Sequence, residues 1–152
     1  MRTVIQRVSH AGADIPATGY SAAIGRGLLV LCAFEEGDGA SDIEWMAGKI
    51  ARLRIFDDQD GVMNLSVTDT GGEIMVISQF TLYAKTARGN RPSYIRAAKP
   101  DTAIPLYEQF CTAVSNAAGR PVATGVFGAD MKVSLLNDGP VTIIIDSKQG
   151  DI

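Results

Sequence analysis

Apolar and polar positions change rhythm several times along the chain, and each rhythm predicts an element. Arg2 to Val8 alternates imperfectly before Ser9-His10 breaks the pattern, which predicts a first strand. Ala11 to Gly25 is rich in Gly and Ala, contains Pro16 and has few large apolar groups, so short, weakly specified strands or a loop are expected there. Gly27 to Phe34 is apolar on both alternating faces, as suits a central strand covered on both sides. Ser41-Asp42-Ile43-Glu44 has the form of a capping box, and Ile43, Met46, Ala47, Ile50 and Leu53 continue at helical spacing. That predicts an amphipathic helix starting at the box, with its stripe packed on a sheet.

Beyond it, Arg54-Ile55-Phe56 and Met63 to Val67 flank a polar turn and predict a strand pair. Glu73 to Ile77 reads as a buried strand whose polarity changes abruptly at Ser78. Asp101 or Thr102 is expected to cap a second helix, with Pro105 tolerated in its first turn. Ile104, Tyr107, Phe110, Cys111 and Val114 form its stripe, and Gly119 ends it. Val122 to Phe127 and Met131 to Leu136 predict two more strands. Last comes Asn137-Asp138-Gly139-Pro140-Val141-Thr142, a polar turn between the alternating Met131–Leu135 and the β-branched Val141–Ile145. Asp-Gly signals a hairpin, and Pro140 cannot donate to a ladder, so strand, protruding tip and returning strand are expected. Taken alone, these residues also fit a plain surface turn.

Strands interleaved with two helices in 152 residues of 46% hydrophobic composition predict one α/β (α+β) domain over 1–147 with a short tail over 148–152. No run reaches the roughly 18 apolar residues of a membrane span, so a cytoplasmic protein with no membrane partner is expected. Cys32 and Cys111 lie far apart in apolar segments and read as buried free thiols. The net charge of −3 argues against general coating of DNA or RNA. Five of the fourteen Lys and Arg residues nevertheless fall between Lys85 and Lys99 with no acid among them. This is a local anion-binding candidate to which Tyr94 adds stacking, and equally a solvated loop.

Conventional catalytic apparatus is missing from the pattern. The single histidine, His10, sits at the end of a strand and reads as structural, and Glu35-Glu36-Gly37-Asp38-Gly39 lacks a complete set of spaced oxygen ligands. Neither a phosphate-binding Gly-Lys-Ser/Thr loop nor a dinucleotide fingerprint is present, so no cofactor and no metal are expected. Two polar strand ends remain: Ser78-Gln79-Phe80-Thr81, whose main-chain N–H groups can stabilise an oxyanion, and Asn137-Asp138-Gly139-Pro140.

Together, Ser78-Gln79-Phe80-Thr81-Leu82-Tyr83 and Asn137-Asp138-Gly139-Pro140-Val141-Thr142 resemble the paired signature motifs of the bacterial and eukaryotic D-aminoacyl-tRNA deacylases. The resemblance covers nearly the whole chain, including Arg91-Pro92-Ser93 and Phe127-Gly128-Ala129-Asp130-Met131. It implies a β-barrel-like sheet assembly with two packed helices, and a homodimer with active sites at the subunit interface. It also implies hydrolysis of the ester of D-aminoacyl-tRNA, and of glycyl-tRNA mischarged on tRNA-Ala, with assistance from the substrate 2′-hydroxyl. Ser78, Gln79, Phe80 and Thr81 would form the catalytic stretch. Gly139 and Pro140, joined by a cis peptide, would enter the partner's site and exclude an L side chain. Phe127 and Met131 match an adenosine pocket, and Lys85, Arg88 and Arg91 are candidates for tRNA phosphates. A non-catalytic tRNA-binding module and a small-molecule ester hydrolase remain as alternatives.

Overall fold

The computed structural model describes residues 1–152. Its spine is β1 (Arg2–Ile15), which pairs antiparallel with β3 (Gly27–Ala33) through its first half and with β2 (Tyr20–Ile24) through its second. The segment expected to be loop or weak strand therefore forms the far half of β1 and a hairpin. Small residues suit that position, because Ala11 and Ala13 are buried inside a narrow barrel where larger groups would not fit. β3 continues in parallel to β6 (Glu73–Ser78), and β6 to the two-residue β7 (Ala123–Thr124). Only this short part of the apolar Val122–Phe127 run pairs. The mixed sheet curls into a nearly closed barrel, and the Tyr20 hydroxyl of β2 donates to the Thr124 carbonyl of β7 at 2.6 Å.

β3 is apolar on both faces because both are covered. Leu28, Val30 and Cys32 pack with Ile74 and Val76 under α1 (Ala40–Arg52) and α2 (Pro100–Ala118), while Leu29 faces the barrel interior with Val8, Met75 and Ile77. Phe110 of α2 meets Phe34 edge-on at 6.3 Å, and the Tyr107 hydroxyl donates to the Val76 carbonyl at 2.7 Å. That bond removes the cost of burying a phenol. Both helices begin earlier than their sequence signals. The α1 N-cap is Gly39, whose N–H is accepted by Asp42 at 3.0 Å, so Ser41 and Glu44 do not form the expected box. Pro100 occupies the first turn of α2, which places Pro105 inside the helix rather than at its start. Gly119 ends it in the left-handed region at φ +75°. β4 (Phe56–Asp57) and β5 (Met63–Leu65) form the expected separate pair.

The hairpin expected at Asn137–Thr142 is replaced by something else. β8 (Lys132–Asp146) keeps one direction and one partner, β1, on both sides of the Gly-Pro. Val8 pairs with Asn137 and Gln6 with Thr142, so Asp138 to Val141 loop out opposite Arg7 alone. The motif is an enlarged bulge in a continuous strand. At the end of β8, Asp146 is buried. Burial raises its pKa, but N–H groups of Lys148 and Gln149 and the Arg2 guanidinium, at 3.1 Å, outweigh that and hold the carboxyl below its ordinary value.

Two outcomes check this architecture. A Cβ at Gly27 would overlap the Glu73 backbone, so Gly27→Ala is expected to destabilise the fold by at least about 2 kcal/mol. A melting temperature equal to wild type would contradict the β3–β6 register. Because the folded-state pKa of Asp146 is depressed, its contribution is present above the ordinary 3.8 and lost as pH falls through the lower folded value. Asp146→Asn should therefore flatten the acid limb of a stability-versus-pH curve below about pH 4 while lowering stability at neutral pH.

Candidate functional site

β3 and β6 end side by side, with Cys32 opposite Ser78, and the Gln79 N–H extends the ladder by donating to the Cys32 carbonyl at 2.7 Å. The chain then turns abruptly into a single 3₁₀ turn, Phe80–Tyr83. Its internal bonds start with Leu82 N–H to Gln79 and continue with Ala84 N–H to Thr81. The N–H groups of Phe80 and Thr81 precede that first bond, where a helical turn leaves its donors without internal acceptors. The Gln79 amide donates to Thr81 Oγ1 at 2.6 Å, which locks both side chains and leaves the Thr81 hydroxyl proton free to point elsewhere.

Ile77, Ser78, Gln79 and Phe80 form one wall of a cleft of about 270 Å³, and Phe127, Gly128, Ala129, Asp130, Met131 and Val133 form the other. The fold thus brings the predicted Ser78–Phe80 stretch together with the predicted Phe127 and Met131. Phe127 also leans on Tyr107 at 6.1 Å, so it serves the core and the cleft at once. Thr81 lies just beyond the lining. A larger cleft of about 440 Å³ opens between α1 and α2, lined by Glu44, Glu108, Gln109, Thr112 and Asn116, but none of the predicted site residues reaches it. Chemistry is better served by the smaller one.

Gly139 and Pro140 do not line the cleft of their own chain. Both are exposed, at the outer end of the bulge, and their peptide bond is cis. The motif explains its own shape. Asn137 closes the neck by donating to Thr142 Oγ1 and accepting from the Val141 N–H, each at 3.1 Å. Gly139 adopts φ +134°, and a Cβ there would press on Val141 and on Arg7 Nη2 at 3.0 Å.

Arg7 is the residue that sequence reasoning missed. It is only 9% exposed, donates from Nε to the Asp138 carbonyl at 2.9 Å and from Nη1 to the Ile55 carbonyl at 2.7 Å, and lies 3.6 Å from Asp57. A buried guanidinium tethers the tip from beneath, through hydrogen bonds that carry a charge and are therefore among the stronger kind. One signal was available: Arg7 continues the parity of Thr3 and Ile5, both buried, so an arginine stood where the strand pattern demanded an inward side chain.

Lys85, Arg88 and Arg91 are exposed and without carboxylate partners, on a loop pinned at its base by paired Lys85–Ser93 backbone bonds of 2.8 and 3.0 Å. Tyr94 of that loop stands edge-on to Phe80 at 5.1 Å, which ties the basic segment to the cleft. His10 is exposed in β1 and is not among the residues that line the cleft. Both cysteines are free. Burial pushes the Cys32 thiol well up and that of Cys111 to about 11, so neither is a thiolate nucleophile at neutral pH. No helix is long and apolar enough to cross a membrane.

Comparison with known proteins identifies the family. The profile of the D-Tyr-tRNA(Tyr) deacylase family matches residues 4–146. A relative from Parabacteroides distasonis named D-aminoacyl-tRNA deacylase is 62% identical, with 97% of this chain and 98% of that one covered. One of the same name from Bacteroides thetaiotaomicron is 60% identical over the same shares. Among solved structures, a c-Myc DNA unwinding element binding protein superposes with a TM-score of 0.88 at 37% identity, covering 96% of this chain and 98% of that one. A probable eukaryotic D-amino acid tRNA deacylase shares the fold at a TM-score of 0.80 and 19% identity, covering 94% and 97%. Matched across nearly its whole length by the family profile and by these relatives, the chain belongs to the D-aminoacyl-tRNA deacylase family.

Proposed function

We propose that this protein hydrolyses the ester of D-aminoacyl-tRNA, and of glycyl-tRNA, as a homodimer in which each subunit's Gly139-Pro140 tip enters the partner's cleft. The observation that carries this reading is the division of parts. One cleft is walled by the strand end Ser78–Phe80 with Asp130 as its one titrating side chain, and a tethered, exposed tip lies outside the lining of its own chain's cleft. Leu136 and Ile144, 53% and 54% exposed, flank the tip along β8 and offer apolar surface for a second copy to cover.

The chemistry follows from what the cleft holds. An aminoacyl ester is already activated, so the protein's task is to position and polarise it. Phe80 and Thr81 N–H groups donate to the carbonyl oxygen and stabilise the charge that develops there as water attacks. The substrate's 2′-hydroxyl assists that water, and the ribose 3′-oxygen leaves with a proton. Ser78 and Gln79 shape the pocket, and Gln79 fixes the Thr81 side chain. Phe127 and Met131 receive the terminal adenosine. The partner's Gly139 and Pro140 carbonyls bind the α-amino group and leave no room on the side where an L side chain would sit, whereas glycine passes because it has none. Lys85, Arg88 and Arg91 hold acceptor-stem phosphates.

Deacylation of matched D-, L- and glycyl-tRNA by the pure protein tests the filter directly. D and glycyl esters should be cleaved and L esters spared; equal D and L rates refute the tip as a selector. Thr81→Ala keeps the backbone donor, so its kcat should fall by less than the roughly 100-fold cost of losing an oxyanion donor. A larger loss would assign the chemistry to the hydroxyl. Replacing Lys85, Arg88 and Arg91 together by Gln should reduce the steepness of the salt dependence of binding by about 2 to 3 in log–log slope. An unchanged slope would remove the three from the tRNA contact.

A further inference from the structure

The 3₁₀ turn that presents the Phe80 and Thr81 N–H groups ends at Tyr83, which is completely buried. Two guanidinium groups lie over its ring, with Arg2 Cζ 4.9 Å and Arg96 Cζ 5.1 Å from the centroid. Each is oriented by a carboxylate: Arg2 Nε bonds Asp146 at 3.1 Å, and Arg96 Nη2 lies 3.5 Å from Glu35. Arg2 makes a further contact, donating from Nη1 to the Leu82 carbonyl at 3.0 Å, inside the turn itself. One rigid planar fork therefore grips the turn by its backbone and by its last ring, which a lysine cannot do. The Tyr83 hydroxyl meets no hydrogen-bond partner in the protein, so the side chain is held through its ring face and packing rather than its polar end.

Arg96 belongs to the basic segment, yet it faces a different way from Lys85, Arg88 and Arg91. Those three are exposed and unpaired, whereas Arg96 is half-buried against Tyr83 and Glu35. Its stretch is anchored immediately after it: Ala97 bridges to Glu35, and the Ala98 N–H donates to the Phe34 carbonyl at 2.8 Å. Phe80 and Tyr94 make a second contact between the turn and the loop at 5.1 Å.

We propose that Arg2 and Arg96 are positioning residues for the hydrolysis, which clamp Tyr83 and so hold the Phe80 and Thr81 N–H groups at the angle the ester carbonyl requires. This rests on reading those two N–H groups as the carbonyl donors. It also separates Arg96 from its basic neighbours: they act on binding, while Arg96 acts on the chemical step through a ring it shares with Arg2.

Steady-state deacylation of D-aminoacyl-tRNA at several salt concentrations, with the full-length protein, tests the assignment. Arg96→Met should lower kcat by about tenfold to a hundredfold, the scale of a small misplacement of reacting groups, with KM and its salt dependence unchanged. Arg2→Lys should do the same, because it keeps the charge and loses the fork. Tyr83→Leu should match them, and the conservative Tyr83→Phe should restore the rate. Arg88→Gln is the contrast, with a raised KM and a flatter salt dependence. A raised KM with flattened salt dependence in Arg96→Met would make it a phosphate contact and overturn the proposal, as would an unchanged kcat. Absence of wild-type turnover would overturn the proposed function and this proposal together, whereas wild-type turnover with an unaffected Arg96→Met overturns the clamp alone. Arg96 is 38% exposed, so its replacement tests the clamp even where Tyr83→Leu fails to fold.

Discussion

The antiparallel ladder between β1 and β8 carries both the barrel and its one projection. Its wider interruption lies where four residues of β8 face Arg7, next to a one-residue shift between Val8 and His10, and it resumes in the same direction with the same partner. A strand that leaves its ladder and returns within four residues needs a closed neck, a permissive backbone and support beneath. Asn137 and Thr142 close the neck, Gly139 supplies the backbone, and the Arg7 guanidinium fills the space below while bonding to the Asp138 and Ile55 carbonyls. Losing that arginine would leave buried carbonyls unpartnered, which is the costly direction of the hydrogen-bond balance.

The same spine places the cleft. β1 holds β3, β3 holds β6, and the parallel pair ends at Cys32 and Ser78, where the chain turns sharply into the 3₁₀ segment. A strand end followed by a tight turn exposes main-chain donors at a rigid place, which suits a reaction limited by positioning rather than by proton transfer. Both thiols have raised pKa values and His10 is not among the residues lining the cleft, so the chemistry proposed for it rests on main-chain donors. Around them the polar contacts are local and specific: Gln79 on Thr81, Arg2 on Leu82, and two guanidinium groups on Tyr83.

Much of this was legible from residue order. The two-faced apolar character of Gly27–Phe34, the helical stripe Ile43–Ile50, the change of polarity at Ser78 and the two polar motifs all correspond to features of the fold, whereas in α2 Tyr107, Phe110 and Val114 are buried as expected but Ala103 and Leu106 take the inward places and Ile104 is exposed. They are local consequences of periodicity and side-chain chemistry, and a short window of sequence contains them. Both helices start earlier than Ser41 and Asp101 because Gly39 with Asp42, and Pro100, are equally good helix beginnings. The Ala-rich far half of β1 looked weak because small side chains carry little strand signal until a narrow barrel makes them the ones that fit.

What tertiary structure alone decided is partnership. Alternation before and after Asn137–Thr142 is the same whether the strand folds back on itself or continues along β1, since period two records which face is buried and not which neighbour it pairs with. Nothing within the motif names Arg7, 131 residues from Asp138, as the group beneath its tip. The meeting of Ser78–Phe80 with Phe127 and Met131 likewise depends on the curl of the sheet. Composition, periodicity and motif determined the central strand, the two helices, the family resemblance and the candidate residues. Long-range pairing in the barrel decided the bulge, the buried arginine and the clamp on Tyr83, because those contacts exist only once distant strands share a ladder.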